Sequence, residues 1–227
     1  TVGGTNMSFY DYATLTGNDA MQFLRAAGVT LYITIASLII GSILGIALGI
    51  VRCSKNRAIS ALPLIIIEPL RNSPLVTQLF LIYYGLPMVS SIMLDPYPAA
   101  ILAISLNTAA FMAVLVHNSI SAIAQGQWEA GLALGHSSTS TFIHVIARQA
   151  FRLLIPQAIT LYISQLQCSS LVALIGIMDL TKLGQNLALR TLKPFMIYGI
   201  VFLIYYILSS PLSKLARDLE KKLSFNY

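Results

Sequence analysis

Long stretches without a single ionised side chain decide what this chain can become. Residues 26–51 contain no Asp, Glu, Lys or Arg and are closed by Arg25 and Arg52. Residues 96–124, 153–178 and 194–213 are equally free of charge, and 58–87 is interrupted only by Glu68 and Arg71. A helix needs about 20 apolar residues to cross the hydrocarbon core of a bilayer. The pattern therefore predicts an all-α membrane protein with five transmembrane helices. Composition agrees: only 10% of residues are charged, against about 25% in soluble domains, and mean hydropathy is +0.77. A cytosolic enzyme, a secreted disulfide scaffold and a nucleic-acid binder are excluded. Cys53 and Cys168 fall at different depths, so they do not read as a disulfide.

The basic residues orient the spans. With five crossings, Arg52, Lys55, Arg57, Arg148, Arg152, Lys214, Arg217, Lys221 and Lys222 share one side. Arg25, Lys182, Arg190 and Lys193 lie on the other, and Arg71 is inside a span. Cytoplasmic flanks carry the excess of Lys and Arg, so the N-terminus is expected outside and the C-terminus in the cytoplasm. The polar stretch 1–19 lacks the basic start and short apolar core of a signal peptide. The expected organisation is an outer segment 1–24, a transmembrane domain 25–222 and a cytoplasmic tail 223–227. No internal repeat is visible, which counts against inverted-repeat secondary transporters.

Two features look mechanical. Gly41, Gly45 and Gly49 form a small-residue stripe that admits close approach of another helix, either within this chain or from a second subunit. Between spans three and four, residues 125–135 read as a short helix ending at Gly135, with Ser138, Thr139 and Ser140 as N-caps for a second helix. A short helix held between two spans is a lever on the cytoplasmic side; a passive interfacial helix is the bland alternative.

The depths of polar residues suggest a mid-membrane belt. At about 1.5 Å per residue, Arg71, Asn72, Ser73, Gln78, Asn107, Gln165, Gln167, Ser169 and Ser170 fall near the same level. Glu68 and Arg71, three apart, share a helix face and can pair. An intramembrane charge is a functional candidate by default. Each belt member alone reads as an interhelical hydrogen bond; together they read as a solute site. His117, His136 and His144 have no metal-ligand spacing. Gly135-His136-Ser137-Ser138 is not the Gly-x-Ser-Gly of an intramembrane protease.

These residues resemble a known family. Glu129-Ala130-Gly131, three residues and then Gly135 is similar to the EAA loop of ABC-importer permeases, although Arg148 stands where that loop usually has proline. The run from Glu68 through Arg71, Pro74, Leu75 and Gln78 to Pro87 resembles the second span of polar amino acid uptake permeases. Ser169-Ser170-Leu171 with Ile175-Gly176 resembles their fourth span. The resemblance covers roughly residue 28 to the C-terminus.

It implies a type I ABC-importer permease fold of five spans with a cytoplasmic coupling loop at 125–150, in a bacterial inner membrane. It implies two cytoplasmic ATPase subunits, a second permease subunit and an outer amino acid binding protein. Trp128, Glu129, Ala130, Gly131 and Gly135 would couple to the ATPase. No cofactor is expected in this chain, which has no phosphate-binding Gly-x4-Gly-Lys loop; ATP and Mg would sit on the partner, and the chain itself would not be an enzyme. Glu68, Arg71, Asn72, Ser73, Gln78, Asn107, Gln165, Gln167, Cys168, Ser169 and Ser170 become the candidate substrate residues.

Gln167-Cys168 replaces a frequent Lys-Asp pair of the family, and Val114 and His117 replace a Glu and an Arg. Losing both members of a pair leaves no orphan charge, and it fits pairing with a non-identical subunit. With Glu68 occupied by Arg71, a neutral or acidic amino acid is the expected cargo. A passive polar-solute channel is the alternative, but it gives Glu129 and Gly135 no role.

Overall fold

The computed structural model describes residues 15–223. Most of the outer segment 1–24 and of the tail 223–227 therefore lies outside the described residues. Those residues form helices and connections with no strand. In order they are α1 (Gly17–Arg52), α2 (Arg57–Ala61), α3 (Leu64–Arg71), α4 (Leu75–Phe80), α5 (Leu86–Val89), α6 (Pro96–Ser121), α7 (Gln125–Ala133), α8 (Ser138–Thr141), α9 (Ala147–Cys168), α10 (Leu180–Thr191) and α11 (Pro194–Leu223). One wide π-turn, Leu81–Gly85, joins α4 to α5, and another, Phe142–Ile146, joins α8 to α9. A 3₁₀ segment, Ser169–Ile175, extends α9.

Four helical stretches are long and apolar enough to cross a membrane: Gly17–Arg52, Pro96–Ser121, Ser138–Ile175 and Pro194–Lys222. The fifth expected crossing, 58–87, is not one rod. Its apolar helical part is the shorter Leu75–Val89. Pro63 precedes α3, Pro69 lies inside it and Pro74 precedes α4. Proline lacks the N–H of the helical ladder and disfavours helix in the residue before it, so the chain opens at Asn72–Ser73 between α3 and α4.

The seam between α1 and α6 explains the glycine stripe. A Cβ built on Gly41 would lie 2.6 Å from Thr108 Cβ and 2.7 Å from the Ser105 carbonyl oxygen. Gly45 meets Met112 and Ala109 in the same way, and Gly49 meets Val116 and Ala113. Only a residue without a side chain allows this approach. The stripe is thus occupied by the chain's own helix, and it does not face a second subunit.

The start of α1 and the presence of α10 depart from the charge-bounded reading. α1 begins nine residues before Ala26 because Asp19 is neutralised in place. Its carboxylate accepts from the Thr16 backbone N–H at 2.7 Å and from the Arg190 guanidinium at 2.7 Å. Arg190 belongs to α10, an amphipathic helix capped by Asp179, whose carboxylate accepts the Lys182 N–H at 2.8 Å. α10 buries Leu180, Leu183 and Leu187 against Phe23 of α1 and Ile197 and Val201 of α11.

Candidate functional site

The turn after α3 folds back on itself through Gln78. Its side-chain amide donates to the Leu70 carbonyl at 2.6 Å and to the Ser73 carbonyl at 3.1 Å, filling acceptors that the proline break sets free. The Asn107 amide on α6 donates to Gln78 Oε1 at 3.3 Å. Gln165 on α9 donates to Asn107 Oδ1 at 3.0 Å. Gln78, Asn107 and Gln165 are all buried. Three separate parts of the sequence are thus tied by a chain of amides, which in a low-dielectric interior resists being pulled apart. Gln165 Oε1 is buried and lacks a hydrogen-bond partner.

Ser73 joins this chain as well, its hydroxyl accepting from the Gln78 amide at 3.0 Å; the remaining belt residues do not. Glu68 and Arg71 pair at 3.7 Å with half-exposed side chains, and Asn72 donates to Glu68 Oε2 at 2.8 Å. Ser73 turns to the Pro69 carbonyl at 2.7 Å. Ser169 is buried and donates to the Leu166 carbonyl at 2.7 Å. Gln167 and Ser170 line a different cavity of about 510 Å³ together with Thr181, Tyr198, Tyr205 and Tyr206. Cys168 is partly buried and, like Cys53, free. So the belt is three neighbourhoods: an exposed charged cluster, a buried amide chain, and a cavity edge on α9.

Sequence reasoning missed the groups beside that cavity. Asp179 is fully buried, and its Oδ2 accepts from the Tyr205 hydroxyl at 3.4 Å. The Tyr205 hydroxyl lies 3.3 Å from Thr181 Oγ1. The signal was present: Leu180, Leu183, Leu187 and Thr191 recur at helical spacing behind an Asp cap.

At the other end, α7 and the helix that follows form a hairpin. Gly135 takes φ of +83°, the left-handed conformation that ends α7. The N-cap of the next helix is Ser137, whose hydroxyl accepts the Ser140 N–H at 3.2 Å, one residue earlier than Ser138. Gly131 is buried against Thr141, which sits where a Gly131 side chain would be. Trp128 stacks on Phe142 with ring centroids 6.1 Å apart. The Gln149 amide donates to Gln127 Oε1 at 3.0 Å. Glu129 and Ala130 point away from these contacts and are exposed. Arg148 lies within a continuous helix, so the loss of the usual proline leaves the helix unbroken.

Comparison with known proteins places this architecture. Residues 38–219 match the family described as binding-protein-dependent transport system inner membrane component. The chain is 34% identical to the L-cystine transport system permease protein TcyB of Bacillus subtilis over 86% of this chain and 83% of that one. It is 31% identical to the glutamine transport system permease protein GlnP of Escherichia coli, over 88% and 92%. It is 34% identical to the arginine transport system permease protein ArtQ of Bacillus subtilis, over 89% and 93%. A solved amino acid ABC transporter superposes with a TM-score of 0.83 at 28% identity, covering 92% of this chain and 99% of that one. The MetNI methionine ABC transporter, at 20% identity and a TM-score of 0.74 over 93% of this chain and 100% of that one, shares the fold. The chain belongs to the binding-protein-dependent transport system inner membrane component family and, within it, to the permeases of amino acid ABC transporters.

Proposed function

We propose that this chain forms the translocation path of an ATP-driven amino acid importer and that α7 is the part its motor pushes. The observation that carries this reading is the asymmetry of α7. Trp128 and Gly131 fix the helix to the rod that follows, while Glu129 is left exposed. The rod leads without a gap to Gln165 and the amide chain. A push on α7 is therefore delivered to the middle of the molecule.

In this reading two cytoplasmic ATPase subunits hold ATP and Mg and receive Glu129 in a groove. A second permease subunit, identical or paralogous, completes the path, and an outer binding protein delivers the cargo. The N-terminus is outside and the C-terminus cytoplasmic. Each nucleotide state must favour one arrangement of the spans through different contacts, or nothing would move.

The relatives' names cover cystine, glutamine and arginine at similar identity, so overall likeness does not choose the cargo. The acid at mid-depth supports a choice. Glu68 is held by Arg71 and Asn72, which leaves it poorly placed to bind a cationic side chain. Arg71 keeps donors open for a carboxylate, which a planar guanidinium binds in a bidentate manner. A neutral or acidic amino acid fits that balance.

The test is Glu129→Arg in the assembled transporter. ATP turnover should persist while uptake falls to background, with the subunit still inserted. Unchanged uptake would refute the lever.

A further inference from the structure

Where the ends of α1 and α6 approach α7, the chain leaves a cavity of about 680 Å³. Arg52, in the last turn of α1, lines it, and no acidic residue does. One guanidinium nitrogen, Nη1, is sealed from solvent and finds no acceptor. Neither of the ion pairs among the described residues includes Arg52. The side chain as a whole is only partly buried, so the rest of its guanidinium stays open to the cavity; a cation there with no carboxylate beside it favours an anion on its accessible face. Ile120, Ile123, Trp128 and Phe142 give the lining an apolar part, beside neutral polar groups such as Gln125, Ser138 and Thr139. A small inorganic anion would satisfy Arg52 and leave the apolar side chains wet. A molecule with a charged head and a hydrocarbon body satisfies both.

We propose that this cavity binds an anionic phospholipid, its headgroup phosphate on Arg52 and its upper acyl chain against Ile120, Ile123 and Phe142. The position fits, because the cavity lies where two spans end and headgroups begin. Basic pockets between spans on the cytoplasmic side are where anionic headgroups bind. The proposal rests on the membrane fold and on the cytoplasmic placement of Arg52; it is independent of the cargo and of the ATPase. Its consequence is mechanical. The lipid would touch α1, α6 and α7 together, so the charge of the inner leaflet would set how firmly the lever is seated.

The chain carries its own probe, since Trp128 lines the cavity and is the sole tryptophan. The purified full chain is mixed in detergent with phosphatidylglycerol or phosphatidylcholine brominated near the top of the acyl chain, and tryptophan quenching is followed. Half-quenching should need a roughly fivefold lower mole fraction of phosphatidylglycerol, the preference of about one well-placed basic residue. Arg52→Gln should abolish the preference, and Ser121→Glu, which adds a carboxylate to the exposed rim, should do the same in a chain that keeps Arg52. Lys55→Gln, outside the cavity, should keep it. Equal quenching by the two lipids, or a preference that survives Arg52→Gln and Ser121→Glu, would overturn the proposal. So would equal loss in Lys55→Gln, which would mean a diffuse surface potential. Displacement of the lipid by millimolar inorganic phosphate would assign the site to a soluble anion instead.

Discussion

Adding one methyl group at Gly45 should loosen the pairing of α1 and α6. The new Cβ would stand 2.6 Å from Met112 Cβ and 2.7 Å from the Ala109 carbonyl oxygen. Carbon contacts settle at about 3.5–4.0 Å, and the carbonyl is backbone that cannot rotate aside. The helices must part by about 1 Å, and overpacking of this kind costs about 1–3 kcal/mol. Alanine returns about 0.5–1 kcal/mol over glycine inside a helix, so the net loss is about 1–2 kcal/mol. Gly28, in the same helix, has open space around its missing side chain. Gly28→Ala keeps the helix gain without the clash. The helix gain is common to both, so the two variants should differ by the clash alone, about 1–3 kcal/mol, or about 2–12 °C in melting temperature for a chain of this size. Thermal unfolding in detergent, followed by loss of the monodisperse chromatographic peak, measures it. If Gly45→Ala melts at or above Gly28→Ala, the seam does not hold the helices as described.

Asn107→Ala removes the link that Gln78 and Gln165 share, leaving two buried amides short of a partner. Stability should fall by about 2–4 kcal/mol in the same assay, while Gln167→Ala at the exposed neighbouring position should leave it unchanged. Arg71→Ala breaks a half-exposed pair, so the melting point should move by less than about 1 kcal/mol equivalent, yet cargo-stimulated ATP turnover should be lost; full turnover would mark the residue as structural. With Cys53 and Cys168 replaced by Ser, an impermeant thiol reagent added outside should label Thr5→Cys and not Lys222→Cys, and the reverse would overturn the orientation.

The four long crossings were legible because absence of charge is a one-dimensional property, visible without knowing any neighbour. Asp19 misled that reading, since its compensating charge, Arg190, is 171 positions away. The second crossing was legible as apolar, and Pro69 and Pro74 mark in the sequence itself where its helix loosens. The belt shows the limit most clearly. Depth follows from counting along a helix, whereas facing follows from which helix packs where. Gln165 and Gln167 differ by only about 3 Å in height, but two residues turn a helix by about 200°. One is buried in the amide chain and the other is exposed at a cavity edge. The hairpin of α7 and α8 was legible because Gly135 marks a backbone conformation by itself, and its cap was placed one residue late.

The joint between Gly131 and Thr141 has a geometric consequence. The backbone from Ser138 to Cys168 is helical throughout, and at 1.5 Å per residue it is about 45 Å long. Pro156 and the π-turn at 142–146 are its only irregularities. A long arm gripped at its base works as a pointer: tilting it by about 5° sweeps its tip through about 4 Å, roughly the width of a methylene chain. If α7 is the pushed end, as proposed above, angular adjustments too slight to disturb the base's own packing would be magnified into displacements on the scale of a small solute.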